Sequence, residues 1–180
     1  MFKKIAIASA TAALFGIGQA AWATSSAPQP INLSATVATN CAISSPPGNA
    51  TGLSYDPTGA NASTGTDVTT STSVTFNCTR GSTGVTVSVS NGGSFSSGTR
   101  HLADTATPTP NLLAYNLYQP TTTGSGASCS TTDYSTGAFS ATGFTTGVTG
   151  VVVKVCVNIP KGQDPVASTY TDSVNLLVNF

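Results

Sequence analysis

The chain has 180 residues and only 7 % charged side chains, where a globular domain ordinarily carries about 25 %. Six basic residues balance six acidic ones, every acidic residue is Asp, and Arg80, Arg100, Lys154 and Lys161 are scattered, which excludes a basic nucleic-acid footprint. Thr, Ser, Gly and Asn fill the surface positions, and Val, Thr and aromatics dominate the periodic segments, which favours strands.

Met1 to Ala23 reads as a secretory signal peptide. Lys3 and Lys4 give the positive start, Ile5 to Ile17 is an apolar run too short to span a bilayer well, and Ala21-Trp22-Ala23 has the small-x-small form of a cleavage site. Without those residues four basic side chains face six Asp, a net charge of −2. In an exported chain the four Cys predict two disulfides, with three possible pairings. Metal binding is the weaker reading. No C-x-x-C pair exists, and His101 is the only His.

Thr24 to Pro30 is short and polar. Ile31 to Ile43 alternates, with Ile31, Leu33, Ala35 and Val37 on one face and Thr39, Cys41 and Ile43 in the same phase. Ser44 to Ser71 is rich in Pro, Gly, Asn and Thr and predicts a long loop, with a short strand at Leu53–Tyr55. Ser73 to Thr79 predicts a second strand with Val74, Phe76 and Cys78 inward. Val85, Val87 and Val89 mark a third. Asn91-Gly92-Gly93 predicts a turn, followed by an irregular loop through Pro110. Leu112 to Tyr118 predicts a strand. Thr121 to Gly147 is low in complexity and carries Cys129. Val148 to Ile159 predicts a long strand with Val151, Val153, Val155, Val157 and Ile159 on one face, and Lys154 and Cys156 on the other.

The final stretch, Tyr170 to Phe180, alternates again. Val174, Leu176, Val178 and Phe180 share an apolar face, and the chain stops there on a large aromatic. Ends of chains usually fray, so this pattern predicts that the sheet continues with a strand from another molecule. Six main strands separated by turns predict an all-β antiparallel sandwich. Strand phase favours pairing Cys41 with Cys78, which leaves Cys129 for Cys156. Closing the first loop would contribute about 3–4 kcal/mol through the unfolded state.

No catalytic residue is predicted. There is no Gly-x-Ser-x-Gly, and the lone His101 sits in a Gly/Ser/Thr loop. Asp56, Asp67, Asp104, Asp133, Asp164 and Asp172 mostly neighbour turn-forming residues and form neither a glycosidase pair nor a calcium cluster. The expectation is therefore no enzyme, no cofactor and no metal. Tyr134, Phe139 and Phe144 could build a carbohydrate- or surface-binding face, or could be core residues under a long loop.

Several stretches resemble the spore coat protein U family, which includes spore coat proteins and subunits of archaic, Csu-type chaperone–usher pili. They are the alternating segment running into Thr39-Asn40-Cys41; Phe76-Asn77-Cys78; Arg100 and Leu102; Leu113-Ala114-Tyr115-Asn116-Leu117-Tyr118; Pro160-x-Gly162; and Tyr170-Thr171-Asp172-Ser173-Val174. Lys161 to Ser168 makes the turn before the last strand longer than the family pattern. The resemblance implies an immunoglobulin-like sandwich lacking its last strand, completed by donor-strand complementation. It further implies a non-enzymatic fibre subunit, handled by a periplasmic chaperone and an outer-membrane usher, that polymerises with identical or different subunits at the surface of a Gram-negative bacterium. Adhesion and biofilm formation are what it implies for the fibre.

On that reading residues 1–23 are the signal peptide, 24–40 the N-terminal donor segment and 41–180 the pilin domain. Ile31, Leu33, Ala35 and Val37 are the donor residues, and Val174, Leu176, Val178 and Phe180 belong to the acceptor side. Burying the donor residues would supply roughly 5–9 kcal/mol before ordering costs. The resemblance also implies that the chaperone's basic side chains clamp the carboxylate of Phe180. The alternatives are that Ile31 to Val37 is the first strand of its own domain, and that the chain is a spore coat protein or a monomeric adhesin module.

Overall fold

The computed structural model describes residues 29–144 and 150–180; the signal-peptide segment lies outside them. The chain divides into two units, 1–36 and 37–180. In the first, residues 29–36 form no strand, and Ile31 and Leu33 are 83 % and 90 % exposed.

The described residues of the second unit hold nine strands: β1 (Cys41–Ser45), β2 (Val68–Cys78), β3 (Thr86–Val89), β4 (Arg100–Ala103), β5 (Leu112–Pro120), β6 (Cys129–Asp133), β7 (Phe139–Ser140), β8 (Val151–Ile159) and β9 (Leu176–Asn179). One 3-10 turn, Tyr134–Thr136, lies between β6 and β7, and the described residues contain no α-helix. All pairings are antiparallel. One sheet runs β1-β2-β8-β5-β4, with β6 also on β5; the other runs β7-β3-β9.

The predicted alternation decides which side chains fill the space between the sheets. Val74 and Phe76 of β2, Val85 and Val87 at β3, Leu113, Tyr115 and Leu117 of β5, and Val151, Val153 and Val155 of β8 are all buried in one core. The chain is thus an all-β antiparallel sandwich. Immunoglobulin-like sandwiches place strands A, B, E and D in one sheet and C, F and G in the other. Here β1, β2, β8 and β5 form the first set in that order, and β3 with β9 supply C and F. Among the described residues no strand pairs with the far edge of β9, where G would lie.

Several expectations are corrected. The alternating Ile31–Ile43 stretch enters a sheet only at Cys41, and Ile43 is exposed although it lies in β1; a register shift follows it in the pairing with β2. β2 begins at Val68, inside the expected loop, because its polar first half pairs with β8 from Val155 to Ile159. The backbone ladder alone recruits Thr69 to Thr72. No strand forms at Leu53–Tyr55. The expected irregular loop before Pro110 contains β4, and the low-complexity segment contains β6 and β7. The described residues therefore hold nine strands, the six main ones expected being joined by short ones.

Disulfides join Cys41 to Cys78 and Cys129 to Cys156. The first links register partners in β1 and β2. The second ties β6 to the face of β8 opposite Val155, and this cover leaves Cys156 buried on what its phase marks as the outer face.

Arg100 is the larger surprise. It lies on β4 at 2 % exposure, and its Nη1 donates to Asp133 Oδ1 at 2.5 Å. Its Nε donates to Ser90 O and its Nη2 to Asn91 Oδ1, each at 3.3 Å. Asp133 Oδ2 accepts from the Leu117 N–H at 3.1 Å, so this pair fastens β4, β5, β6 and the turn after β3. Burial pushes the Asp133 carboxyl up, but the Ser135 N–H and the Arg100 guanidinium outweigh it and hold the group below the usual carboxylate range.

Candidate functional site

An apolar-lined groove of about 1120 Å³ opens at β9, whose edge away from β3 is unpaired among the described residues. Leu113, Tyr115 and Leu117 of β5 and Val155, Val157 and Ile159 of β8 line it. So do two stretches outside the strands, Pro46–Tyr55 and Pro165–Val174, together with Leu176. Val174, Leu176 and Val178 pack against the core yet remain only partly buried. Val157 shares the phase of buried Val153 and Val155 and is also only partly buried. Core-facing residues stay half exposed here because the sandwich is open along this line. An apolar trough beside a free strand edge is a template for one more strand, with backbone groups setting register and pockets taking alternate side chains.

The wall formed by Pro165 to Val174 is pinned at several points. Gln163 acts like a piece of strand beside β5: its Oε1 accepts from Ala114 N–H at 2.7 Å, and its Nε2 donates to Ala114 O at 3.0 Å. The Gln163 N–H donates to Tyr55 Oη at 2.8 Å, and Tyr170 Oη donates to Val166 O at 2.7 Å. Thr171 and Ala103 exchange both backbone hydrogen bonds at 2.9 Å. This leaves Val166, on the groove, 59 % exposed. Tyr115 Oη donates to Asp172 Oδ2 at 2.5 Å, and the Gly93 N–H donates to Asp172 Oδ1 at 2.8 Å. Burial and then the bond to Asp172 push the Tyr115 hydroxyl well above its ordinary range, so it remains a donor.

Gln163→Ala removes three side-chain hydrogen bonds at once and strips the Ala114 N–H of its acceptor. We expect a loss of about 1–3 kcal/mol in denaturant unfolding and faster exchange of the Ala114 amide. An unchanged midpoint with unchanged exchange would show that the wall stands without Gln163.

The structure brings Val174 and Leu176 to the groove, with Val178 beyond it on the same face of β9. Phe180 lies past the end of β9, is 59 % exposed and does not line the groove. Ile31, Leu33, Ala35 and Val37 lie outside every strand, and Val37 is 79 % exposed. Tyr134 and Phe144 are core residues, and Phe139 packs against the core, so they form no exposed aromatic face. Gln163 and Val166 were not picked out from the sequence. Their one signal was the added length of the Lys161–Ser168 turn.

No curated protein matches this chain. Solved structures that match include the CsuC–CsuE chaperone–tip adhesion subunit pre-assembly complex from archaic chaperone–usher Csu pili of Acinetobacter baumannii, with 24 % identity and a TM-score of 0.45. That match covers 81 % of this chain and 40 % of the other, so this chain spans less than half its length. The Spore Coat Protein U domain model matches residues 27–176, and the chain accordingly belongs to the Spore Coat Protein U domain family.

Proposed function

We propose that this chain is a non-enzymatic structural subunit of a surface fibre assembled by a chaperone–usher pathway, polymerising by donor-strand exchange. The observation that carries this reading is the apolar groove beside the unpaired edge of β9. The donor is Ile31–Val37 of the next subunit. Its apolar residues alternate with Asn32, Ser34 and Thr36, so one face fits a groove and the other suits water. The large side chains Ile31, Leu33 and Val37 are also exposed, which leaves them available to a partner.

In this scheme residues 1–23 direct export and a periplasmic chaperone occupies the groove first. An outer-membrane usher then exchanges it for the donor segment of an identical or different subunit. The fibre sits on the surface of a Gram-negative cell and serves adhesion and biofilm formation. The core positions of Tyr134 and Phe144 count against a monomeric sugar-binding module.

Leu33→Asp tests the reading. A carboxylate carried into an apolar groove costs several kcal/mol unless it is neutralised. Purified wild-type chain should form polymers by size exclusion and electron microscopy, while the variant stays monomeric with an unchanged circular dichroism spectrum. Equal polymerisation by both, or a wild type that never associates, would sink the proposal.

A further inference from the structure

Asn91-Gly92 is the chain's single Asn–Gly pair and lies in the turn between β3 and β4. We propose that Asn91 is a site of spontaneous deamidation assisted by Arg100, which turns a neutral side chain into a carboxylate beside the buried guanidinium.

Three observations meet here. Asn91 is exposed, so solvent base and water reach it. Arg100 Nη2 donates to Asn91 Oδ1, the oxygen on which negative charge builds when the side-chain carbonyl is attacked. The guanidinium is buried, and a cation held in a low-dielectric setting stabilises that charge more than one in water does. The fold also fixes the labile partner. Gly92 has a φ of +84°, and a side chain there would meet the carboxylate of Asp172, so a bulkier residue that would slow the attack is strained at this position.

The chemistry balances with water alone. The backbone nitrogen of Gly92 gives its proton to solvent base and bonds to Cγ of Asn91. The bond from Cγ to the side-chain nitrogen breaks, and that nitrogen leaves as ammonia. Water then opens the five-membered imide at either carbonyl, giving aspartate or isoaspartate. The aspartate product places a second carboxylate on Arg100, opposite Asp133, where a charge-assisted pair replaces a neutral hydrogen bond. The isoaspartate product adds a backbone carbon between residue 91 and Gly92, one residue ahead of Gly93, whose N–H holds Asp172.

The test incubates the full chain at mildly alkaline pH, once native and once unfolded in urea, and follows residue 91 by peptide mapping and mass spectrometry. A hydrogen bond from a charged donor predicts a native rate about tenfold above the unfolded one. Asn49 and Asn61, each followed by Ala, should lag behind Asn91 in both states. A native rate equal to or below the unfolded rate would overturn the assisted reaction. Asn91→Asp provides the second measurement. Its melting temperature should match or exceed the wild type's, and a fall would overturn the claim that Arg100 accommodates the product.

Discussion

Moving Ile31–Val37 with its flanks behind Phe180, on a short flexible linker, should give a monomer that is much more stable than the original chain. The relocated segment would follow β9 and could lie along its free edge, completing the second sheet. Burying three large aliphatics and one Ala supplies roughly 5–9 kcal/mol before ordering costs. Val157, Val174 and Leu176 would be covered at the same time. If about 3 kcal/mol of this survives, the melting temperature rises by about 6–12 °C for a domain of this size. Size exclusion separates intramolecular completion from polymerisation. A rearranged chain that is less stable than the original would mean that the groove does not accept this segment, and the donor-strand reading would fail with it.

Arg100→Ala should be among the most damaging single substitutions in the sandwich, costing about 3–5 kcal/mol. The cost comes from what is left behind. Asp133 would keep its burial and its bonds from Leu117 and Ser135 but lose the cation that pays for them, and Ser90 O and Asn91 Oδ1 would lose a shared donor. The same pair predicts a pH dependence. The Asp133 carboxyl is held below its unfolded value, so its contribution is fully present above the ordinary carboxylate pKa and is lost as pH falls through the depressed folded value. Wild-type stability should therefore fall in acid. Arg100→Ala should flatten that fall, because without the guanidinium the Asp133 carboxyl moves back toward its unfolded value, with the Ser135 bonds still holding it down. Denaturant titrations of both proteins across the acid range check this. Parallel pH curves, or a loss under about 1 kcal/mol, would mean that Arg100 is no more than an ordinary surface cation.

Alternation made much of the fold legible. The inward faces of β3 and most of β8 follow from Val at every second position, and Val74, Phe76 and Cys78 of β2 follow from the same rule. The strands that escaped notice carry no such pattern. β4 reads Arg-His-Leu-Ala and β6 reads Cys-Ser-Thr-Thr-Asp. Their residues become strand because β5 offers a free ladder on that side, and its backbone groups need partners. Arg100 was legible as a scattered cation and as part of the family pattern, but its burial was not, since no local pattern says that a charged side chain will meet Asp133 from 33 positions away.

By itself the sequence determined the class: a weakly charged, Val- and Thr-rich chain with period-two alternation is an antiparallel β protein, and its motifs carry the family. It also determined which side of each patterned strand turns inward, because side chains alternate strictly along an extended backbone. Only the tertiary structure decided where the sandwich stays open. That opening depends on which strands lie beside β9, on how Gln163 and Tyr170 fasten the wall next to it, and on Val157 and Leu176 being only partly covered. Alternation states that a face must be buried, and the covering partner is a matter of long-range pairing that no local run of residues encodes.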